Sequence, residues 1–556
     1  MDIKMPIGMD DFSKVRNGYY FVDKTPFLQA FLKNHAEVTL FTRPRRFGKT
    51  LTLSMMRYFL DTEDAEEHRR LFDGLAIADD TEAMAEQGTR PVLFLTLKGW
   101  KGLSWDILQV RVRQQLGELF NAYRFLEEDD LSDWERKRFR AILDGTGEFA
   151  ALVDVLAFLL RLLEQHYGKK PVLLLDEYDV PIQSAWEHQY YDEALDFFRE
   201  FFSAALKTNS SLDFAVLTGV LRIAKENIFS SLNNLEVDSV FQTRYPEAFG
   251  FTPEDVAQMT RDFGCEEKVE ELRNWYDGYR FAGREVYNPW SVINYFHHDC
   301  KARAYWVNTS GNSILGEMLR HAKNKTLDEM ENVLQGRPVT AMVDEGIIYN
   351  EIYQNQDALY TMLVTTGYFT TERVEDMDLG QEATLVIPNR EIRTLFRREV
   401  IYRYRSDDME YSLVDLMRAF AAGEIETVRA GLAEYLEILT SSFDAARGKE
   451  AFYHGFVLGL TATLASDYDI RSNRESGYGR YDIAAFPRKA GIRGMLIECK
   501  TAESEDALEK EAQAALQQMA DRDYDAEFRA QGVEHVLHYG IAFCGKRVCV
   551  ELVRDF

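Results

Sequence analysis

Four short apolar runs leave this chain few folds to choose from. Glu37–Thr42, Val92–Leu97, Val172–Leu175 and Phe214–Thr218 have the length and branched content of interior strands, and helical stretches separate them. Such alternation predicts an α/β domain with a parallel sheet and helices on both faces. The first run passes into Phe41-Thr-Arg-Pro-Arg-Arg-Phe-Gly-Lys-Thr50, which opens a helix at Lys49. Backbone N–H groups at Gly48 and the helix N-terminus can cradle phosphates there, with Lys49 reaching the outer phosphates and Thr50 holding magnesium. The expected ligand is ATP. The third run delivers Asp176 and Glu177 to the same edge of the sheet, Asp176 to hold magnesium and Glu177 to polarise the attacking water. The fourth ends at Thr218, placed to sense the outer phosphate, and Arg222 follows to stabilise developing charge. In a GxxxxGKT register the first glycine is replaced by Arg43. A non-glycine residue there is expected to restrict the loop backbone, so nucleotide binding is favoured over rapid hydrolysis, with Arg45 or Arg46 replacing lost phosphate contacts.

A second cluster lies near the C-terminus. Ser476-Gly-Tyr-Gly-Arg-Tyr-Asp-Ile-Ala-Ala-Phe486 leads through a basic turn into Arg493-Gly-Met-Leu-Ile-Glu-Cys-Lys500. Two strands joined by that turn place Asp482 and Glu498 on neighbouring strands, with Lys500 on the face of Glu498 because strand side chains repeat every two residues. Two carboxylates and a lysine suit phosphodiester cleavage: Asp482 and Glu498 bind magnesium, or manganese, through oxygen, and Lys500 orients or deprotonates water. Glu450, near the start of a helix, is a candidate third metal carboxylate. Gln517, on a helix over 507–520, is a candidate contact to metal-bound water or phosphate. His454, His535 and His538 lack partner spacing and read as structural. Cys265, Cys300, Cys499, Cys544 and Cys549 lack the CxxC spacing of a zinc site and read as reduced thiols, Cys499 pointing into the core from its strand.

A chain of 556 residues exceeds one ordinary core. The expected division is a P-loop domain over 1–250, a helical lid or extension over 251–343, a winged-helix-like and helical linker region over 344–445, and a phosphodiester-cleaving domain over 446–556. The net charge of -27 argues against a protein that coats nucleic acid nonspecifically, because phosphate contacts need Lys and Arg. From Ala446 to Phe556, however, 15 basic residues stand against 18 acidic ones, a balance of only -3 that leaves room for a local basic groove. No signal pattern opens the chain and no apolar run is long enough to span a bilayer, so the expectation is a cytoplasmic protein with no membrane partner.

Together these residues resemble the bacterial and archaeal family that joins an AAA-ATPase-like domain to a PD-(D/E)XK nuclease domain. The resemblance covers nearly the whole chain. It rests on Arg43-Pro-Arg-Arg-Phe-Gly-Lys-Thr50, Leu174-Leu-Asp-Glu-Tyr-Asp179, Thr218-Gly-Val-Leu-Arg222 with Asn233-Asn-Leu235, Tyr276-Asp-Gly-Tyr279, and Asp482 with Glu498-Cys-Lys500. It implies an additional-strand P-loop fold in front and a restriction-endonuclease-like sheet behind. It also implies that Arg43 is normal for the group, and it points to defence or mobile-element biology. The function it implies is an ATP-binding, metal-dependent nuclease acting on nucleic acid, DNA favoured over RNA. P-loop ATPases of this type often need a neighbour's arginine, so a homo-oligomer stays open. A second reading is a nucleotide-dependent signalling or interaction protein with a non-catalytic nuclease fold. A third is an ATPase motor on nucleic acid.

Overall fold

The computed structural model describes residues 4–223, 233–306, 329–330, 332–334, 336–344, 346, 355–378, 380–403, 413–440, 450–461, 464, 467–472, 474–477, 479–489 and 491–554. The chain divides into two compact units, one holding the described residues up to Phe396 and the other those from Arg397 onward.

The first unit is built on five parallel strands: β1 (Val38–Thr42), β2 (Val92–Thr96), β3 (Val172–Asp176), β4 (Ala215–Gly219) and β5 (Leu235–Asp238). Their order is β2-β3-β4-β1-β5. The first four occupy the predicted apolar runs, and β1, β3 and β4 are buried along their whole length, as a sheet covered on both faces requires. β5 is a finding of the structure; its four residues are mostly half-buried and too polar to stand out as a strand. One feature of the order matters for chemistry. β4 stands between β1 and β3, so the strand carrying Thr218 separates the strand feeding the loop over 43–48 from the strand carrying Asp176.

The middle of the chain belongs to this first unit. The helices Pro253–Asp262, Val269–Tyr276 and Pro289–His297 surround a small hairpin of β6 (Tyr279–Phe281) and β7 (Arg284–Val286). Beyond it, β8 (Val339–Val343), β9 (Thr370–Met377) and β10 (Gly380–Val386) form an antiparallel sheet in the order β8-β10-β9, with the helix Gln356–Thr365 between β8 and β9. β9, β10 and this helix lie within the region expected to be winged-helix-like, while β8 lies within the stretch expected to be a helical lid or extension.

The second unit carries a mixed sheet in the order β11-β14-β15-β16-β17, made of β11 (Tyr468–Ser472), β14 (Ile483–Pro487), β15 (Gly494–Thr501), β16 (Val536–Cys544) and β17 (Arg547–Arg554). A two-stranded ribbon, β12 (Glu475–Ser476) with β13 (Gly479–Arg480), precedes β14. All neighbours are antiparallel except β15 and β16. β16 is buried on both faces. Leu537, Tyr539, Ile541 and Phe543 share one core with Phe420, Leu432 and Leu436 of the helices Leu413–Ala422 and Ile425–Thr440. On the other face Gly540 lets the helix Leu508–Asp521 approach closely, since a side chain there would collide with the Ala512 carbonyl. The helices expected to be linker within 344–445 therefore include two that form the cover of this sheet. An apolar strand buried on both sides needs a layer on each. No helix among the described residues is long and apolar enough to cross a membrane.

Candidate active sites

Where β1 ends, the N–H of Arg43 donates to the Gly219 carbonyl at 3.1 Å, so the loop leaves the sheet still tied to β4. Arg43 then turns inward. Fully buried, its guanidinium donates to the Asp238 carboxylate, to the Asp238 carbonyl at 2.9 Å and to the Thr243 hydroxyl at 2.9 Å, with the Phe249 and Phe281 rings against it. The Arg43 backbone is outside the left-handed region, which is taken up by Arg46 (φ 71°) and Gly48 (φ 85°), and its side chain serves as an ion-pair anchor.

Lys49 folds back, donating to the carbonyls of Arg43 and Pro44 at 2.8 and 2.9 Å, and burial lowers its pKa to about 8. Thr50 Oγ1 donates to one oxygen of Asp176 at 2.9 Å and Thr218 Oγ1 to the other at 2.6 Å. The strand order makes this possible, because Asp176 is reached from the loop helix Lys49–Leu60 and from β4 at once. Glu177 adopts φ 54°, and burial, aided by the Asp176 charge, raises its pKa. The next two residues are a latch that sequence reasoning quoted without assigning a role. Asp179 accepts the N–H groups of Val220 and Leu221 at 2.8 and 3.0 Å; the Tyr178 hydroxyl donates to the Leu221 carbonyl at 2.6 Å and accepts from the Ile223 N–H at 3.1 Å. They hold the segment that carries Arg222. Position 219 must be glycine, since a Cβ would lie 2.6 Å from the Tyr178 ring. Arg45 donates to Gln183 Oε1 at 2.9 Å, and the Arg46 guanidinium lies 4.3 Å from the centre of the Trp290 ring.

In the second unit, Asp482 immediately precedes β14 and Glu498 lies in β15, where Ile483 pairs with Ile497. The Asp482 N–H donates to Glu498 Oε2 at 3.3 Å and Asp482 Oδ2 accepts the Cys499 N–H at 2.8 Å. Lys500 Nζ donates to Gln518 Oε1 at 2.6 Å, and the other end of the same amide donates to Glu498 Oε1. Gln518 is the residue that joins the lysine to the carboxylate. Gln517, the expected contact, is exposed and bonds Asp521 at 2.7 Å. The helical period would have shown this: with Leu508, Ala512, Ala515 and Met519 buried, position 518 flanks the inner face and 517 lies opposite. The Tyr524 hydroxyl, 3.3 Å from Gln518 Nε2, donates to the Arg480 carbonyl at 2.7 Å. Cys499 is buried in the core. His538 is buried against Asp525. The side chain of Glu450 lies outside the described residues.

Comparison with known proteins gives the same division. Residues 6–229 match the family described as Predicted AAA-ATPase, and residues 448–552 match the PD-(D/E)XK nuclease superfamily. The chain joins an AAA-ATPase-like domain to a PD-(D/E)XK nuclease superfamily domain. A relative in Azotobacter chroococcum mcd 1, described as an uncharacterized protein in the vnfD 5′ region, is 27% identical over 552 residues, covering 97% of this chain and 96% of the relative.

In the AAA-ATPase-like domain, backbone N–H groups at the loop helix could hold a nucleotide's phosphates. That helix starts at Gly48 with no side-chain cap, which leaves first-turn N–H groups for phosphate oxygens. In the nuclease domain the carboxylates of Asp482 and Glu498 are the oxygen ligands that could hold a hard divalent cation: Asp482 Oδ1 accepts no hydrogen bond from any described residue, and the Asp482 N–H meets Glu498. Among the described residues no group of three or more His, Cys, Asp or Glu could hold a metal ion, and Glu498 is buried.

Proposed function

We propose that this protein is a magnesium-dependent nuclease, with manganese as an alternative ion, that cleaves phosphodiester bonds of nucleic acid, DNA in preference to RNA, under the control of ATP bound at its P-loop. The observation that carries the reading is the chain of contacts in which the Gln518 amide joins Lys500 to one oxygen of Glu498 while the Asp482 N–H meets the other. A magnesium ion held by Asp482 and Glu498 would offset charge developing on the phosphate and make bound water more acidic. Lys500, aimed by Gln518 Oε1, holds the attacking water and takes up or relays its proton. Gln518 keeps the Glu498 carboxylate turned toward Asp482.

At the nucleotide site, Lys49 would exchange the Arg43 and Pro44 carbonyls for the outer phosphates. Thr50 and Asp176 would hold the accompanying magnesium ion, and Glu177, with its raised pKa, is suited to take a proton from water. Thr218 reports the state of the outer phosphate through Asp176, and Arg222 answers charge that develops there. A cytoplasmic location fits a substrate of this class. The test is cleavage of plasmid DNA, single-stranded DNA and RNA with magnesium or manganese, with and without ATP. Asp482→Ala is expected to abolish cleavage, and Lys49→Ala to abolish only its response to ATP. Cleavage that survives in Asp482→Ala sinks the proposal.

A further inference from the structure

The helix Glu450–Thr461 brings to the nuclease site a side chain for which the chemistry above has no role. His454 Nε2 lies 3.1 Å from the Asp482 carbonyl oxygen and 3.0 Å from Ser472 Oγ. Among the described residues β11 pairs with β14 as far as Ser472 opposite Ile483, and the Asp482 carbonyl belongs to the residue just before Ile483. A carbonyl only accepts, so the contact requires the Nε2–H form of the imidazole, with Ser472 Oγ sharing that hydrogen as a second acceptor. The ring thus supplies a hydrogen-bond donor to a main-chain acceptor of the site.

The consequence reaches the carboxylate. The Asp482 N–H is directed at Glu498 and its Oδ2 at the Cys499 N–H, so with the carbonyl capped by His454 every polar group of Asp482 except Oδ1 is held. We infer that His454 is a positioning residue of this site, pinning the Asp482 peptide so that Oδ1 faces the position a divalent cation would take. The inference rests on the nuclease reading. Outer-shell groups of this kind orient ligands without touching the ion.

The test uses the full chain and manganese alone as the probe, with affinity read by calorimetry and kcat and KM read on plasmid DNA. The amide nitrogen of His454→Gln can reach the place of Nε2, whereas that of His454→Asn falls a bond short, and His454→Phe keeps the ring without the donor. The Asn and Phe variants are expected to bind manganese about 10- to 100-fold more weakly, with kcat falling alongside and KM for DNA unchanged, while Gln stays within about threefold of the parent. A Phe variant with parental affinity and kcat, or a Gln variant no better than Asn, overturns the inference. Gln and Asn differ by one methylene, so their comparison separates donor placement from folding. Asp482→Asn, titrated alongside, keeps the two ideas apart. If it binds manganese like the parent, the nuclease reading fails; if it loses manganese while the Phe variant keeps it, only the role of His454 fails.

Discussion

The Lys49–Asp176 cluster and the Asp482–Glu498 cluster each place a carboxylate at the end of a buried strand, yet they prepare it in opposite ways. In the AAA-ATPase-like domain both oxygens of Asp176 are occupied by the Thr50 and Thr218 hydroxyls, and Lys49 is occupied by two loop carbonyls. A ligand there must exchange partners, and an exchange is what a switch requires. In the nuclease domain Asp482 keeps one oxygen free of described donors, and Lys500 is held by a neutral amide, with no carboxylate of the site neutralising it. A cation there displaces nothing on Asp482. Burial sharpens the contrast, since Lys49 is pushed down to about 8.

Substitutions can break or sharpen this contrast. The largest effect is expected at the prepared site. Glu498→Ala should slow cleavage roughly 10³-fold or more, the loss of the several kcal/mol a bound cation supplies, while ATP affinity is unchanged. Parental cleavage rates in this variant would remove the distinction between the two sites.

Next is the anchor of the exchangeable site. Arg43→Gly restores a glycine at the first loop position, yet it strips the buried Asp238 carboxylate of its partner. It should destabilise the first unit by about 3–5 kcal/mol in denaturant unfolding and bring no gain in ATP affinity. A tighter-binding, equally stable variant would show that Arg43 merely obstructs the loop.

Lys49→Met should weaken ATP binding about 10- to 100-fold, from the roughly 1.5–3 kcal/mol of a charge-assisted hydrogen bond. It should also change the pH dependence of stability. Between about 8 in the folded chain and the ordinary lysine value near 10.5, the unfolded chain holds more protons, so Lys49 makes unfolding free energy rise with pH across that window. The Met variant should lack that rise in melts recorded from pH 7.5 to 10.5. An unchanged slope would mean Lys49 is not held in this low-pKa state.

The smallest effect separates adjacent glutamines. Gln518→Ala should lower kcat about tenfold, the lower range for a group that orients ligands, and Gln517→Ala should leave it unchanged. Equal losses would place both side chains at the site and contradict the helix orientation.

The strands β1 to β4 and the polar side chains at their ends were legible because each depends on local pattern: an apolar run, then Lys49 and Thr50, or Asp176 and Glu177, or Thr218. The pairing of Asp482 with Glu498 and Lys500 was legible for the same reason, since one hairpin and the two-residue strand repeat bring them together. β5 was not, because four half-buried residues carry no periodic signal. Gln518 was missed by about 100° of helix rotation, the angle between consecutive residues, although the apolar period of its helix records the inner face.

Side-chain type and short-range spacing were thus enough for the kind of sheet, the two clusters and most of their members. The folded chain alone decided what holds those members in place. Arg43 meets Asp238 from 195 residues away, His454 meets Asp482 across 28, and the helices over 413–440 cover a sheet whose last strand lies more than a hundred residues on. Backbone geometry writes local periodicity into a sequence, whereas a buried guanidinium or carbonyl takes whichever partner packing brings within hydrogen-bond reach, and no short window contains both.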